Sequence, residues 1–90
     1  MKKRLQVIFS GSVQGVGFRF TAERLARRFP IAGYVRNLPN GKVEIVAEGE
    51  EKSVRDFLAA IREAFNDHIR EVEPQWSEAA DEFNGFGARF

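Results

Sequence analysis

The chain has 90 residues, of which 43% are hydrophobic and 30% are charged, and its net charge is +1. This length and composition predict one small globular domain, residues 1–90, with a packed core. The near balance of charge argues against a dedicated nucleic-acid or membrane-binding protein, because such proteins carry a strong basic excess. The chain has no cysteine, so it forms no disulfide and performs no thiol chemistry.

The start of the chain and its single histidine argue against a targeting segment, a membrane span and a metal site. The basic opening, Lys2-Lys3-Arg4, precedes an apolar run that is too short and too polar for a signal peptide or a membrane span. His68 stands alone, without the paired spacings that metal ligands need, and is expected at the surface or at a strand edge. We therefore expect a cytoplasmic monomer with no metal and no cofactor.

Hydrophobic periodicity predicts three strands and one helix in the first half of the chain. Leu5 to Ser10 is apolar on both sides, which is typical of a central strand. After a glycine-rich loop, apolar residues spaced i, i+3, i+4 and i+7 predict an amphipathic helix that Pro30 stops. Ile31 to Leu38 and Val43 to Glu48 follow as strands, joined by a tight turn at Asn40-Gly41.

The second half predicts one helix and two further strands. Ser53 is the candidate N-cap of the helix, which presents an apolar face to the core. Ile69 to Ser77 and Phe83 to Phe90 are the predicted strands. The order β-α-β-β-α-β, with an extra strand before the last, predicts an α+β fold. It is typical of a ferredoxin-like sandwich, with two helices packed on one face of a mostly antiparallel sheet.

The loop between the first strand and the first helix carries the clearest functional signal. Gly11, Gly15 and Gly17 lie within seven positions. Glycine permits backbone conformations that a Cβ forbids, so successive N–H groups can turn inward and surround an anion. The helix adds its own free N–H groups and the positive end of its dipole. Because Arg19 adds a planar, permanent charge, this glycine loop (residues 11–18) is interpreted as a phosphate site.

Other phosphate loops and nucleophilic sites fit these residues less well. A Walker A loop ends in Gly-Lys-Ser/Thr, whereas Gly17 is followed by Phe18 and Arg19. The spacing G-x-x-x-G-x-G also differs from the G-x-G-x-x-G of dinucleotide-binding loops. Ser10 or Ser12 could act as a nucleophile, but no histidine lies nearby in sequence to activate either one. An ordinary strand-to-helix turn stays open as the simplest alternative.

The predicted topology brings a second residue to the same place. The first strand, the first helix and the second strand form a right-handed crossover unit, so the two strands run parallel. Their carboxyl ends then share one edge of the sheet, where ligand sites of α/β units are common. Asn37, at the end of the second strand, is therefore expected near Arg19.

Two motifs on this scaffold resemble a known family. The segment Gly11–Arg19 resembles the acylphosphatase signature G-x-V-Q-G-V-x-[FY]-R, and Gly33–Asn37 resembles the family's G-[WYF]-V-[RK]-N block. The Asn40-Gly41 turn and the aromatic ending Phe86–Phe90 are similar too. The resemblance implies metal-independent hydrolysis of the carboxyl-phosphate bond of a small acylphosphate, which yields inorganic phosphate.

The resemblance also implies roles for individual residues. Arg19 matches the phosphate-binding arginine of the family, and Asn37 matches the asparagine that orients the attacking water. The loop whose N–H groups hold the phosphoryl oxygens corresponds to Val13, Gln14, Gly15, Val16, Gly17 and Phe18. No neighbouring carboxylate is an evident base, so the phosphate itself is expected to accept the proton.

Less specific interpretations stand beside these roles. Phe18, Phe20 and Trp76 are expected in the core rather than at a substrate platform. The arginines at 24, 27 and 28 are expected on the solvated face of their helix. Two other functions stay open: a phosphate-binding module without catalysis, and an RNA or protein interaction domain. The RNP motifs of RNA-binding relatives of this fold are absent from the sequence.

Overall fold

The computed structural model describes residues 1–89 and has the predicted order of elements, including the extra strand before the last. Phe90, which the sequence placed in the final strand, lies outside the described residues. The elements are β1 (Lys2–Gly11), α1 (Phe18–Ala26), β2 (Ala32–Asn37), β3 (Val43–Glu50), α2 (Glu51–Ala64), β4 (Ile69–Glu78) and β5 (Phe86–Arg89).

The strands form one sheet in the order β4-β1-β3-β2-β5. β1 pairs with both β3 and β4, so its predicted central position is confirmed. β3 is antiparallel to both β1 and β2, which makes β1 and β2 parallel to each other and brings their carboxyl ends to one edge. Among the strands of residues 1–89, the one parallel pair is β5 with β2. This mostly antiparallel sheet with two helices confirms the ferredoxin-like α+β fold.

The core lies between the helices and one face of the sheet. Alternate residues of β1 point into it and are completely or almost completely buried. From α2, Val54, Phe57 and Ile61 are buried there, at the three- and four-residue spacing of one helix face. Phe18 at the start of α1 stacks on Phe65, with 4.3 Å between the ring centroids, so its predicted place in the core is confirmed. Trp76 is half-buried against the same cluster.

Phe20, by contrast, is not in the core, and that prediction is wrong. Its residue surface is 71% exposed. The buried side of α1 consists of Phe18, Ala22, Leu25 and Ala26. At about 100° per residue, position 20 lies roughly 200° around the helix from position 18, and so it faces away from the core.

Two buried carboxylates accept hydrogen bonds on the face of the sheet that the helices leave uncovered. Glu48 accepts hydrogen bonds from the backbone N–H groups of Ala80 and Asp81, both at 2.9 Å, and from Arg4 Nη1 at 3.1 Å. These bonds fix the segment that connects β4 to β5 across the sheet. Because β5 begins five residues after Asp81, these bonds help to position β5 beside β2.

The second buried carboxylate is Glu44. Its oxygens accept from Gln6 Nε2 at 2.6 Å, from Arg36 Nε at 2.6 Å and from the Tyr34 hydroxyl at 3.2 Å. Burial alone would raise the pKa of Glu44, but these hydrogen bonds and the positive charge of Arg36 outweigh it. The pKa of Glu44 is therefore lower than its ordinary value.

Several predicted boundaries differ from the structure by a few residues. α1 ends at Ala26, before Pro30, because Arg27 and the two residues after it donate to carbonyls three positions back and tighten the last turn. Ser53 is not a cap. α2 begins at Glu51, whose N–H bonds the carbonyl of Met1, and no side chain caps that end. The last strand begins at Phe86, three residues later than predicted.

Candidate active site

The glycine loop connects the end of β1 to α1 by way of two residues with positive φ. Gly15 has a φ of 79° and Gly17 a φ of 74°, values that side chains with a Cβ rarely adopt. Gly17 is also the N-cap of α1, and its carbonyl accepts the first helical bond, from Thr21 N at 2.9 Å. The chain therefore turns from the strand into the helix within a few residues.

In the described part of the chain, this turn leaves a row of backbone N–H groups without hydrogen-bond acceptors. Within residues 1–89, no backbone N–H of residues 13–18 donates to a backbone carbonyl. The first turn of α1 contains no acidic side chain. Free N–H groups at a helix N-terminus attract anions, since the helix dipole places partial positive charge there.

A cleft of about 310 Å³ lies beside this loop and contains both of the predicted polar residues. Arg19 reaches it from the first turn of α1, and Asn37 reaches it from the end of β2. Arg19 and Asn37 thus line one cleft, as expected from the β-α-β crossover, and their chemical roles stay predictions. The residues around the cleft are Val13, Gly15, Gly17, Phe18, Arg19, Phe20, Glu23, Asn37 and Ala88.

Two of the predicted loop residues have other positions. Gln14 points away from the cleft lining, and its Nε2 donates to the carbonyls of Leu38 at 2.8 Å and Lys42 at 2.9 Å. It therefore fastens the glycine loop to the turn that follows Asn37. Val16 does not line the cleft, and its residue surface is 37% exposed.

The last strand completes the site. Arg19 Nη1 donates to the carbonyl of Arg89 at 3.2 Å, and Ala88 lines the cleft. The N–H of Ala88 donates to Glu23 Oε2 at 3.2 Å, which joins α1 to β5. The guanidinium of Arg19 is therefore held from the side of the sheet.

Sequence reasoning missed three residues of the cleft. Glu23 lies four positions after Arg19, so the i, i+4 spacing could have placed both on one side of the helix. Phe20 was assigned to the core, although it lies outside the helical apolar pattern. Ala88 reaches the cleft through the pairing of β5 with β2, for which the local sequence gives no signal.

The arginine at 24 in α1, the two arginines that follow this helix and the histidine lie at the surface, as expected. The side chains at 24, 27 and 28 are exposed, and so is His68. Among residues 1–89, no three His, Cys, Asp or Glu side chains are grouped closely enough to hold a metal ion. In the same residues, neither helix has the length and apolar character needed to cross a membrane.

Comparisons with known proteins show the family of this chain. A family model described as acylphosphatase matches residues 5–88. An acylphosphatase of Salinibacter ruber is 39% identical over 89 residues, which are 98% of this chain and 94% of that protein. One of Thermus thermophilus is 40% identical over 78 residues, covering 86% of this chain and 89% of that one. The crystal structure of acylphosphatase from Bacillus subtilis matches with a TM-score of 0.87 at 28% identity, covering 98% and 99% of the two chains. The chain therefore belongs to the acylphosphatase family of enzymes.

Proposed function

We propose that this enzyme hydrolyses small acylphosphates to a carboxylate and inorganic phosphate without a metal. The observation that carries the proposal is the combination in one cleft of Arg19, Asn37 and four residues of the glycine loop. These four are Val13, Gly15, Gly17 and Phe18, and within residues 1–89 their N–H groups donate to no backbone carbonyl. Together these groups offer positive charge, hydrogen-bond donors and an amide at a site that a phosphoryl group can fill. Membership of the acylphosphatase family supports the same reaction.

The phosphoryl group is held by the loop and by Arg19. The phosphoryl oxygens accept from backbone N–H groups, and the guanidinium supplies two parallel donors to them. Transfer of a phosphoryl group passes through a loose transition state with charge spread over its oxygens, so fixed donors can provide most of the catalysis. The positive charge that a metal would contribute comes here from Arg19 and the helix N-terminus.

Asn37 orients the water. Its side-chain oxygen accepts a hydrogen bond from the water, whose oxygen then forms a bond to phosphorus. The bond between phosphorus and the acyl oxygen breaks, and its electron pair leaves with the carboxylate. A carboxylate is a good leaving group, so no general acid is needed. The proton of the water passes to a phosphoryl oxygen, and the products are a carboxylate and inorganic phosphate.

Glu23 is the carboxylate that could compete for this proton, because it lines the same cleft. We assign it a structural part, since its Oε2 already accepts the N–H of Ala88. In the variant Glu23→Gln an amide oxygen can keep that bond, so kcat should stay within a few-fold of the original. A loss of ~10²-fold or more, together with loss of the acidic limb of the pH–rate profile, would instead identify Glu23 as the general base.

The first test is hydrolysis of benzoyl phosphate in the presence of EDTA. We expect turnover by the unchanged protein, and Arg19→Ala should lower kcat/KM by at least ~10²–10³-fold, the scale of losing a strong charge-stabilising donor. Arg24→Ala is the matched control, because Arg24 is an exposed arginine on the same helix and should be nearly neutral. Normal turnover by Arg19→Ala would remove Arg19 from the mechanism.

Two further variants separate charge from geometry and binding from chemistry. Arg19→Lys should restore little activity, because an ammonium lacks the planar fork of the guanidinium. Asn37→Ala should lower kcat while leaving competitive inhibition by inorganic phosphate almost unchanged. If phosphate binding is lost instead, Asn37 holds the ligand and does not position water. A folded protein that binds phosphate but turns nothing over would be a binding module.

The wider setting of the enzyme is part of the same proposal. We expect residues 1–90 to act as one domain, as a monomer in the cytoplasm, and without a nucleic-acid partner. Analytical ultracentrifugation at micromolar concentration tests the oligomeric state directly. Salt-dependent retention of an unstructured RNA would contradict the absence of a nucleic-acid partner.

A further inference from the structure

Exposed apolar side chains are concentrated beside the cleft. Among residues 1–89, the large hydrophobic residues that are exposed are Met1, Val16 and Phe20. Val16 lies in the glycine loop, and Phe20 directly follows Arg19 and lines the cleft. A phenyl ring with 71% of its residue surface in water contributes little to folding. Contact with a bound molecule is a better explanation for a phenylalanine at this position.

The two walls of the cleft indicate which part of the substrate meets Phe20. Asn37 and Ala88 come from the sheet, whereas Phe20 comes from α1. The attacking water and the leaving carboxylate lie on opposite sides of phosphorus in an in-line displacement. With water held by Asn37 from the sheet, we infer that the acyl group departs away from the sheet, on the side of the cleft that α1 contributes. Phe20 is the apolar side chain of that wall that reaches solvent.

We propose that Phe20 contacts the acyl group and determines which acylphosphates are preferred. The phenyl ring favours substrates whose acyl group is aromatic, because flat apolar rings pack against it and leave water. Small acyl groups such as acetyl reach the phosphate-holding groups but gain little from the ring. This inference rests on the proposed function, since it concerns the part of the same substrate that does not react.

The test compares kcat/KM for benzoyl phosphate with kcat/KM for acetyl phosphate. In Phe20→Ala the ratio of the two should fall about 5- to 10-fold, the scale of losing one aromatic contact that is partly open to water. Most of the change should appear in KM for benzoyl phosphate, because the ring binds substrate and transition state alike. Phe20→Leu keeps an apolar side chain and should recover part of the ratio.

Phe83→Ala is the matched control for loss of a phenyl ring. Phe83 packs on Tyr34, with 5.8 Å between ring centroids, on the face of the sheet away from the helices, and it does not line the cleft. This variant should keep the ratio of the unchanged protein. A ratio that falls equally in Phe83→Ala would trace the effect to general destabilisation and overturn the inference.

A binding measurement separates this inference from the proposed hydrolysis. Benzoylphosphonate and acetylphosphonate carry a P–C bond in place of the P–O bond that breaks, so they bind without reacting. If the benzoyl compound binds more tightly than the acetyl compound, and this difference is lost in Phe20→Ala, the inference is supported. It is supported even if no acylphosphate is hydrolysed, since absence of turnover overturns only the proposed hydrolysis. An unchanged ratio and unchanged phosphonate binding in Phe20→Ala overturn the inference, and would point to Phe20 as a contact for another protein. If neither phosphonate binds, both proposals fall.

Discussion

The hydrogen bonds of Gln14 allow the link between the glycine loop and the β2–β3 turn to be tested quantitatively. Its Nε2 donates to two carbonyls, those of Leu38 and Lys42. In Gln14→Ala both bonds are lost, at a net cost of about 0.5–1.5 kcal/mol each. Both carbonyls keep another partner, because Leu38 O accepts from Gly41 N and Lys42 O accepts from Leu38 N. The total should therefore lie in the lower half of the range, at about 1–2 kcal/mol.

Gln14→Glu is a second test of the same two hydrogen bonds. An ionised carboxylate has no hydrogen to donate, and it would face two carbonyl oxygens at the present distances of 2.8 and 2.9 Å. It should therefore be less stable than Gln14→Ala at neutral pH. Near pH ~4 a protonated carboxyl can donate once, so the difference between the two variants should shrink.

Urea unfolding and thermal melting measure these effects. A loss of about 1–2 kcal/mol should lower Tm by roughly 5–15 °C in a domain of this size. Gln75→Ala is the control, because Gln75 is an exposed glutamine on β4 and should change stability by less than ~0.5 kcal/mol. Since the loop and Asn37 move apart when the link is broken, kcat/KM should also fall by about 10-fold or more. Gln14→Glu as stable as Gln14→Ala at neutral pH would refute the reasoning.

Three further predictions concern the sheet. Glu48→Ala leaves two backbone N–H groups without their acceptor, so it should lower the free energy of unfolding by about 2–3 kcal/mol, measured by urea denaturation. Glu78→Ala is the control, because Glu78 is an exposed carboxylate whose loss should hardly change that free energy. Because the pKa of Glu44 is lowered in the folded state, its stabilising effect is present above the ordinary value of 4.5 and is lost as the pH falls through the folded pKa. Between pH ~5 and ~3, Glu44→Gln should therefore lose less stability than the unchanged protein, and an equal loss would assign the acid sensitivity to other groups. Gly33→Ala should lower the free energy of unfolding by at least ~3 kcal/mol or prevent folding, since at a φ of 149° a Cβ would overlap the Val46 carbonyl. A circular dichroism spectrum that shows a fully folded variant would contradict this.

Local pattern was sufficient to predict the elements and the place of the site. The glycine spacing identified the loop, and the handedness of a β-α-β crossover brought Asn37 to the side of Arg19 without any measured contact. This worked because each step depends on residues close in sequence or on a rule that nearly all folds obey. The helical spacing of apolar residues in α1 also predicts that Phe20 is exposed, since Phe20 does not lie on the apolar side that contains Ala22 and Leu25.

The burial of two glutamates could not be predicted in this way. Alternation in β3 places Glu44 and Glu48 on the face opposite the core, where carboxylates are usually solvated. They are buried because the segment before β5 and the side chains of β1 and β2 close over them, and these partners lie elsewhere in the sequence. The same holds for Ala88, which enters the cleft only through the pairing of β5 with β2.

The position of β1 between β3 and β4 has a consequence for how the protein folds. β1 pairs with residues 69–78, so this pairing closes a loop that contains most of the chain. Closing a long loop costs entropy before any contact between the two strands is formed. The β2–β3 hairpin and α2 can form locally, so the β1–β4 pairing is expected late, with folding slower than that of a small helical protein. Until then the apolar run Leu5–Phe9 is open to other chains, and its composition favours intermolecular β-pairing. The three cations directly before it repel a second copy and protect this segment during the search for β4.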